Sequence, residues 1–217
     1  MKQTNQSKKV KKNDLNVIIG AGGHAVSVIE ILKTLKINIH SLLDLKINKN
    51  KKLDNIPIIS NLNQIDVPKN YLFNLYLALG NNLIRKKNYL NFIKSDYNVI
   101  GAKSQNAYIS KSSDISKSTF VGNQAYIGPK TIINENCIVN TKCIIEHETI
   151  IDSHTNICPG VNIGGRCKIG KNVFIGLGSN ISDNITIEDN VTIGSGSVVT
   201  KNIKKNIKVV GINRVIK

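Results

Sequence analysis

Residues 133–162, broken every six, read INENCI VNTKCI IEHETI IDSHTN ICPGVN, and every block opens on Ile or Val. The phase holds in both directions: Ile109, Ile115, Val121, Ile127, Ile133, Val139, Ile145, Ile151, Ile157, Ile163, Ile169, Ile175, Ile181, Ile187, Ile193 and Val199 follow without a break. Four places further on, the residue is small or β-branched throughout, from Ser113, Thr119 and Ala125 to Ser197 and Ile203. This is a hexapeptide β-helix repeat. Each block supplies a short strand whose Ile or Val points inward, then a corner. With three blocks to a coil, residues 18 apart stack at ~4.8 Å, giving about five coils and roughly 25 Å of prism. One column then holds Asn136, His154, Asn172 and Asn190, residue types expected where a corner visits the left-handed region. A second column holds Lys130, Glu148 and Arg166. Cys137, Cys143 and Cys167 fall in small-residue slots and read as packing residues.

Upstream of the repeat the pattern changes. A strand, Asn16–Ile19, meets the turn Gly20-Ala21-Gly22-Gly23, and a helix follows from His24 to about Lys36. Further strands are expected at Ile39–Leu43, which ends at Asp44, at Ile56–Ile59 and at Leu75–Leu79. Gly80-Asn81-Asn82 then opens a helix to about Lys94. Strands alternating with helices argue a small parallel α/β sheet. The fold expected is therefore α/β plus β: a Rossmann-like sheet domain over 14–103, a parallel β-helix over 104–217, and a disordered basic tail over 1–13.

The composition narrows the function classes. No apolar run approaches 18 residues and the first twelve lack an apolar stretch, so neither a membrane span nor a secretory signal is expected, and the setting is cytoplasmic. A net charge of +16 favours acidic ligands. The lysines are scattered except for Lys8, Lys9, Lys11 and Lys12 in the tail and Lys201, Lys204 and Lys205 near the end, and nucleic acid is not an expected partner. The four cysteines form no CxxC pair, so neither a disulfide framework nor a zinc site is expected, and no metal is assigned.

Together these residues carry a family. A β-helix behind a small α/β domain, with Gly20-Ala21-Gly22-Gly23-His24, Gly80-Asn81-Asn82-Leu83-Ile84-Arg85, Asn140-Thr141, Ile145-Glu146-His147-Glu148 and Pro159-Gly160, resembles the nucleotide-sugar N-acetyltransferases. That family includes sialic-acid O-acetyltransferase-like members. The resemblance covers about residues 15 to 212. It implies a left-handed coil, a homotrimer, acetyl-CoA in the groove between neighbouring prisms, and a 4-amino sugar on UDP or dTDP as acceptor, in surface-glycan biosynthesis.

On that resemblance His147 is the general base, Glu148 its partner, and Asn140 lies near the acceptor. A neutral imidazole suits proton removal from an attacking amine, and a neighbouring carboxylate raises its basicity. Relatives place a second His against acetyl-CoA, and alignment through Pro159-Gly160 puts Asn156 there. Gly165, one coil from His147, would let the pantetheine arm approach the backbone, and Gly176, Leu177, Gly194 and Ser195 would continue the groove. His154 is expected to be only a corner residue. Gly20, Gly22 and Ala25 with Asp44 satisfy a dinucleotide fingerprint, but the α/β part is too short for two mononucleotide halves. A glycine turn at a helix start suits a diphosphate, so Gly22, Gly23 and His24 are assigned to the nucleotide sugar and Asp44 to its base or ribose. Gly80, Asn81, Asn82 and Arg85 complete that pocket. Cys143 and Cys158 lack any nucleophile motif, so direct transfer is expected. Two alternatives stay open: O-acetylation of sialic acid or a related sugar, and a β-helix module without catalysis.

Overall fold

A computed structural model describes residues 14–44, 52–66 and 71–216. The basic tail, the Lys/Asn-rich segment 45–51, residues 67–70 and Lys217 lie outside them.

The hexapeptide phase is realised without exception. Sixteen two-residue strands run from Tyr108–Ile109 to Val198–Val199, each ending on one of the Ile or Val positions. They form three parallel sheets in which partners are 18 residues apart, as in Ile145↔Ile163 and Ile151↔Ile169. Face one carries Ile109, Ile127, Ile145, Ile163, Ile181 and Val199. Face two carries Ile115, Ile133, Ile151, Ile169 and Ile187. Face three carries Val121, Val139, Ile157, Ile175 and Ile193, and continues into a closing hairpin, Lys208–Val210 with Arg214–Ile216. From Val121 to Val199 every one of these side chains is buried.

Two features keep the coils in register. Every sixth residue from Gln124 to Gly196 holds a positive φ, including Lys130, Asn136, Lys142, Glu148, His154, Gly160, Arg166 and Asn172. That repeated left-handed residue turns each corner, and it explains the Asn, His and Gly found there. The small-residue slot does more than fill space. The Oγ1 of Thr155 donates to the Gly170 carbonyl at 2.8 Å and accepts from the Val173 amide at 3.0 Å, so one hydroxyl ties two coils together.

The preceding domain is a six-stranded sheet. β1 (Leu15–Ile19) lies at its centre between β2 (Ser41–Leu43) and β5 (Phe73–Leu77); β4 (Ile56–Ile59) and β6 (Asn98–Val99) flank these, all parallel. β3 (Lys52–Leu53) pairs antiparallel with β4 through a turn at Asp54 and Asn55, both at positive φ, a hairpin turn of the primed class. Helix α1 (Gly23–Thr34) buries Ala25, Val28, Ile29 and Leu32, one stripe at helical spacing, and stops where Lys36 takes a φ of 57°. Helix α2 spans Asn82–Lys94. β3 and β6, each two residues long, are not signalled in the sequence.

The α1 side of this sheet packs on face three. Ile18, Ala25, Val28, Leu32 and Tyr76 share a core with Phe120 and Ile138, which point outward from the β-helix. Among the described residues, faces one and two keep outward side chains such as Ile144 and Ile150 exposed.

Candidate active site and ligand-binding corners

His147 sits on the corner between faces one and two. Its Nδ1 lies 3.1 Å from Oε2 of Glu148. When Nδ1 carries the proton and donates to that carboxylate, Nε2 keeps a free lone pair, as a base requires. Glu148 can reach back to its neighbour because it occupies the left-handed position of the corner, φ 58°. One coil on, Gly165 gives the ring its room: a Cβ there would stand 2.6 Å from His147 Cε1 and Nε2. Gly165, expected to admit a pantetheine arm, also leaves the room in which the imidazole sits. Asp183, the next residue of the column, accepts from the Gly165 amide at 2.9 Å. Both side chains of the pair are partly exposed, 40% for His147 and 46% for Glu148, so the ring is within reach of a ligand.

Glycines dominate the corner between faces three and one. It reads Cys158-Pro159-Gly160, Gly176-Leu177-Gly178 and Gly194-Ser195-Gly196 on successive coils. Gly160, Gly178 and Gly196 turn it at φ 69°, 63° and 67°, and no atom lies within 4 Å of where a Cβ would stand on Gly178 or Gly196. The result is a strip of bare backbone beside the exposed Leu177, open to a long, thin ligand. Gly160 entered the sequence reading only within Pro159-Gly160, and Gly178 and Gly196 were not singled out, although the 18-residue spacing of the three was visible. Gly176, by contrast, is glycine for packing, since a Cβ there would stand 2.5 Å from the Ser195 amide nitrogen; at Gly194 it would meet Val210 Cγ1 at 2.9 Å.

The expected catalytic trio is not gathered within one chain. Asn140 is on the glycine corner, its Oδ1 accepting from the Thr141 amide at 2.8 Å. Strand Ile144–Ile145 of face one separates it from His147. Asn156 opens a strand of face three, is buried, and donates from Nδ2 to the Gly80 carbonyl at 3.0 Å.

At the carboxyl ends of β1 and β2, Gly22 caps α1 and Gly23 begins it, both with open space where a side chain would be. Asp44 Oδ2 accepts from the Ala21 amide at 3.0 Å, which joins the glycine turn to the end of β2. His24 follows, its ring edge-on to Phe120 at 4.7 Å. Burial, and then the positive charge of Arg85, lower its pKa to about 4.

Of the residues expected to complete that pocket, Gly80 and Asn81 are exposed at the start of α2, whereas Asn82 and Arg85 are buried. Asn81 caps α2, accepting from the Ile84 amide at 3.0 Å. Asn82 donates to the Val173 carbonyl at 2.9 Å. The Arg85 guanidinium, 1% exposed, donates to the carbonyls of Asn136 (3.1 Å), Leu79 (3.1 Å), Gly80 (3.3 Å) and His154 (2.8 Å) and to Asn82 Oδ1 (3.1 Å). An ionised group at this depth survives because its donors are met. Burial brings its pKa down to about 10, so it stays charged at neutral pH. These side chains clasp the sheet domain to the β-helix. His154, as expected, turns its corner at φ 65° and pairs through Nδ1 with Asn136 Nδ2 at 2.8 Å.

Burial pushes the thiols of Cys137 and Cys143 up to about 12 and that of Cys158 to about 11, so all three stay protonated and poorly nucleophilic. No metal-binding cluster occurs among the described residues.

The fold has close counterparts. The perosamine N-acetyltransferase of Caulobacter crescentus, a mutant in complex with CoA and GDP-perosamine, superposes with a TM-score of 0.86 over 94% of this chain and 97% of its own, at 21% identity. The acetyltransferase domain of PglB from Neisseria gonorrhoeae FA1090, in complex with acetyl coenzyme A, gives a TM-score of 0.85 over 94% and 98% at 26% identity. WeeI from Acinetobacter baumannii AYE gives 0.64 over 93% and 99% at 19% identity. No curated protein matches the chain in sequence. Fold and corners thus define a hexapeptide β-helix protein resembling the nucleotide-sugar N-acetyltransferases. Residues 103–212, just over half its length, match the model of the GMPPB C-terminal domain, and the chain belongs to that family; residues 17–92 match the PglD N-terminal domain.

Proposed function

We propose that the protein is an acetyl-CoA-dependent N-acetyltransferase that acetylates the amine of a nucleotide-linked 4-amino-deoxy sugar by direct transfer. The observation that carries this reading is the His147–Glu148 pair, partly exposed on a corner where Gly165 clears space for the ring. Acetyl coenzyme A in the PglB domain, and CoA with GDP-perosamine in the Caulobacter enzyme, support the substrate classes.

In this mechanism the sugar amine attacks the thioester carbonyl carbon while Nε2 of His147 takes its proton. Backbone amides steady the oxyanion of the tetrahedral intermediate. The intermediate collapses by breaking the carbon–sulfur bond, and the imidazolium returns its proton to the leaving thiolate. Glu148 steadies the charged ring between these steps. No acetyl-enzyme forms, in keeping with the protonated, buried thiols.

The site is completed between copies in a left-handed homotrimer. In one prism the glycine corner and the His147 corner are separated by face one, which supports a site that takes the bare backbone from one copy and the imidazole from its neighbour. Face one is suited to association. Tyr108, 60% exposed, stacks on Tyr126 with ring centroids 5.2 Å apart, and Ile144 continues the ladder. The nucleotide is assigned to the Gly22–Gly23 turn with His24 and Asp44, and the sheet domain and β-helix to 14–103 and 104–217. No helix among the described residues is long and apolar enough to cross a membrane, and a nucleotide-sugar acceptor with acetyl-CoA as donor fits a cytoplasmic step of surface-glycan biosynthesis.

The test is CoA release from acetyl-CoA against a panel of UDP-, dTDP- and GDP-linked amino sugars, with sialic acid as a hydroxyl acceptor. Turnover with an amine acceptor that His147→Asn abolishes is expected. Turnover confined to hydroxyl acceptors, or none with any acceptor, would overturn the reading.

A further inference from the structure

One more charged side chain belongs to the His147 corner. Glu148, Arg166 and Asn184 follow one another down a column with φ of 58°, 57° and 59°, so all three side chains leave the prism from equivalent positions on successive coils. Nη1 of Arg166 lies 4.0 Å from Oε2 of Glu148, the same oxygen that faces His147 Nδ1. Nε of Arg166 donates to Asn184 Oδ1 at 3.0 Å. The carboxylate therefore stands between an imidazole and a guanidinium, and an amide fixes the direction of the guanidinium.

We infer that Arg166 is a positioning residue for the His147–Glu148 pair: it holds the carboxylate toward Nδ1 and offsets part of its charge, while Asn184 aims it. The inference rests on His147 being the base. A carboxylate beside an imidazole favours the protonated ring, and a base that is protonated at working pH is idle. The guanidinium opposes that effect while leaving the Glu148–His147 hydrogen bond in place. The other charged residues of the corner on the coils nearest the pair are Lys130 (same column, preceding coil), Glu146 (next to the histidine in sequence) and Asp183 (bound to the Gly165 amide), with Lys111 two coils away. Among the described residues, Arg166 is the group that shares an ion pair with Glu148 besides His147 itself.

Arg166 is half exposed, so solvent screens it and the effect is modest. Lysine would keep the charge but lacks the Nε–H that meets Asn184, so charge and aim can be separated. The experiment is an imidazole NMR titration of the full chain, whose four histidines make assignment of His147 from the His147→Asn spectrum direct. In Arg166→Met the acid limb of kcat/KM and the His147 midpoint are expected to move together to higher pH. Arg166→Lys should restore the midpoint yet leave turnover severalfold low. An unmoved midpoint in Arg166→Met overturns the inference whatever turnover does. Should His147→Asn keep full turnover, the proposed base fails instead, and the titration still reports whether Arg166 governs the pair.

Discussion

The imidazole of His147 occupies the place a side chain at residue 165 would take, with Cε1 and Nε2 each 2.6 Å from the position of a Gly165 Cβ. Gly165→Ala therefore pushes the ring off its seat. The ring is partly exposed and can swing outward, and Gly165 does not hold a left-handed φ, so the fold tolerates the methyl. The loss falls on chemistry: kcat is expected to drop about 100-fold, as misplacement of a reacting group by an ångström does. The melting temperature should move little. A large fall in melting temperature with kcat intact would show that the glycine serves the coil instead of the histidine.

His24 makes the fold sensitive to acid. Its Nε2 is buried without a partner among the described residues, and burial and the Arg85 charge hold its pKa at about 4, whereas in an unfolded chain it is about 6.5. Between those values the unfolded chain binds the extra proton, so stability rises with pH from about 4 to about 6.5 and is lost as pH falls through that window. The span corresponds to roughly 3 kcal/mol at most. Urea midpoints measured from pH 7 to pH 4.5 should fall for the parent and fall less for His24→Phe, which keeps a ring against Phe120. Equal slopes would acquit His24.

The β-helix was legible residue by residue because its rule is local and repeated: one inward Ile or Val per six, one small residue beside it, one left-handed corner. Column membership, as for Glu148 with Arg166, followed from counting. What counting could not supply was where the sheet domain docks. Arg85 and Asn82 read as pocket residues because the motif Gly80-Asn81-Asn82-Leu83-Ile84-Arg85 carried the family resemblance, and no local signal announces that their partners are the carbonyls of His154 and Val173. Asn140 and His147 were grouped by resemblance, yet one face of a triangular coil, strand Ile144–Ile145, puts them on different corners.

The Arg85 clasp should be costly to remove. Arg85→Met leaves the carbonyls of Asn136, Leu79, Gly80 and His154 without that donor in a buried seam. Unmet buried acceptors make the expected loss about 3 kcal/mol. Because the seam joins two units with their own cores, the variant should also lose cooperativity. Calorimetry is expected to resolve the sheet domain melting before the β-helix, and brief proteolysis to cut near residues 79–82. A single sharp transition at the parent temperature would mean that the apolar contacts around Phe120 and Ile138 suffice.

If the reacting groups meet only across a subunit seam, two inactive variants should rescue each other. His147→Asn removes the base and leaves the glycine corner intact. Gly178→Gln blocks the bare backbone and leaves the base; glutamine is chosen because Gln124 already holds the same column at φ 58°, so the corner should keep its shape. Each variant alone should turn over at about 1% of the parent or less. Co-expressed in equal amounts they form mixed trimers, where a site takes its base from one chain and its backbone platform from the next. Half the chains supply each part, so about a quarter of the sites are whole. Activity near that fraction, with the sedimentation of a trimer, is the expected result. Activity no higher than the average of the two variants would place both corners in service of separate ligands, and the shared site would have to be abandoned.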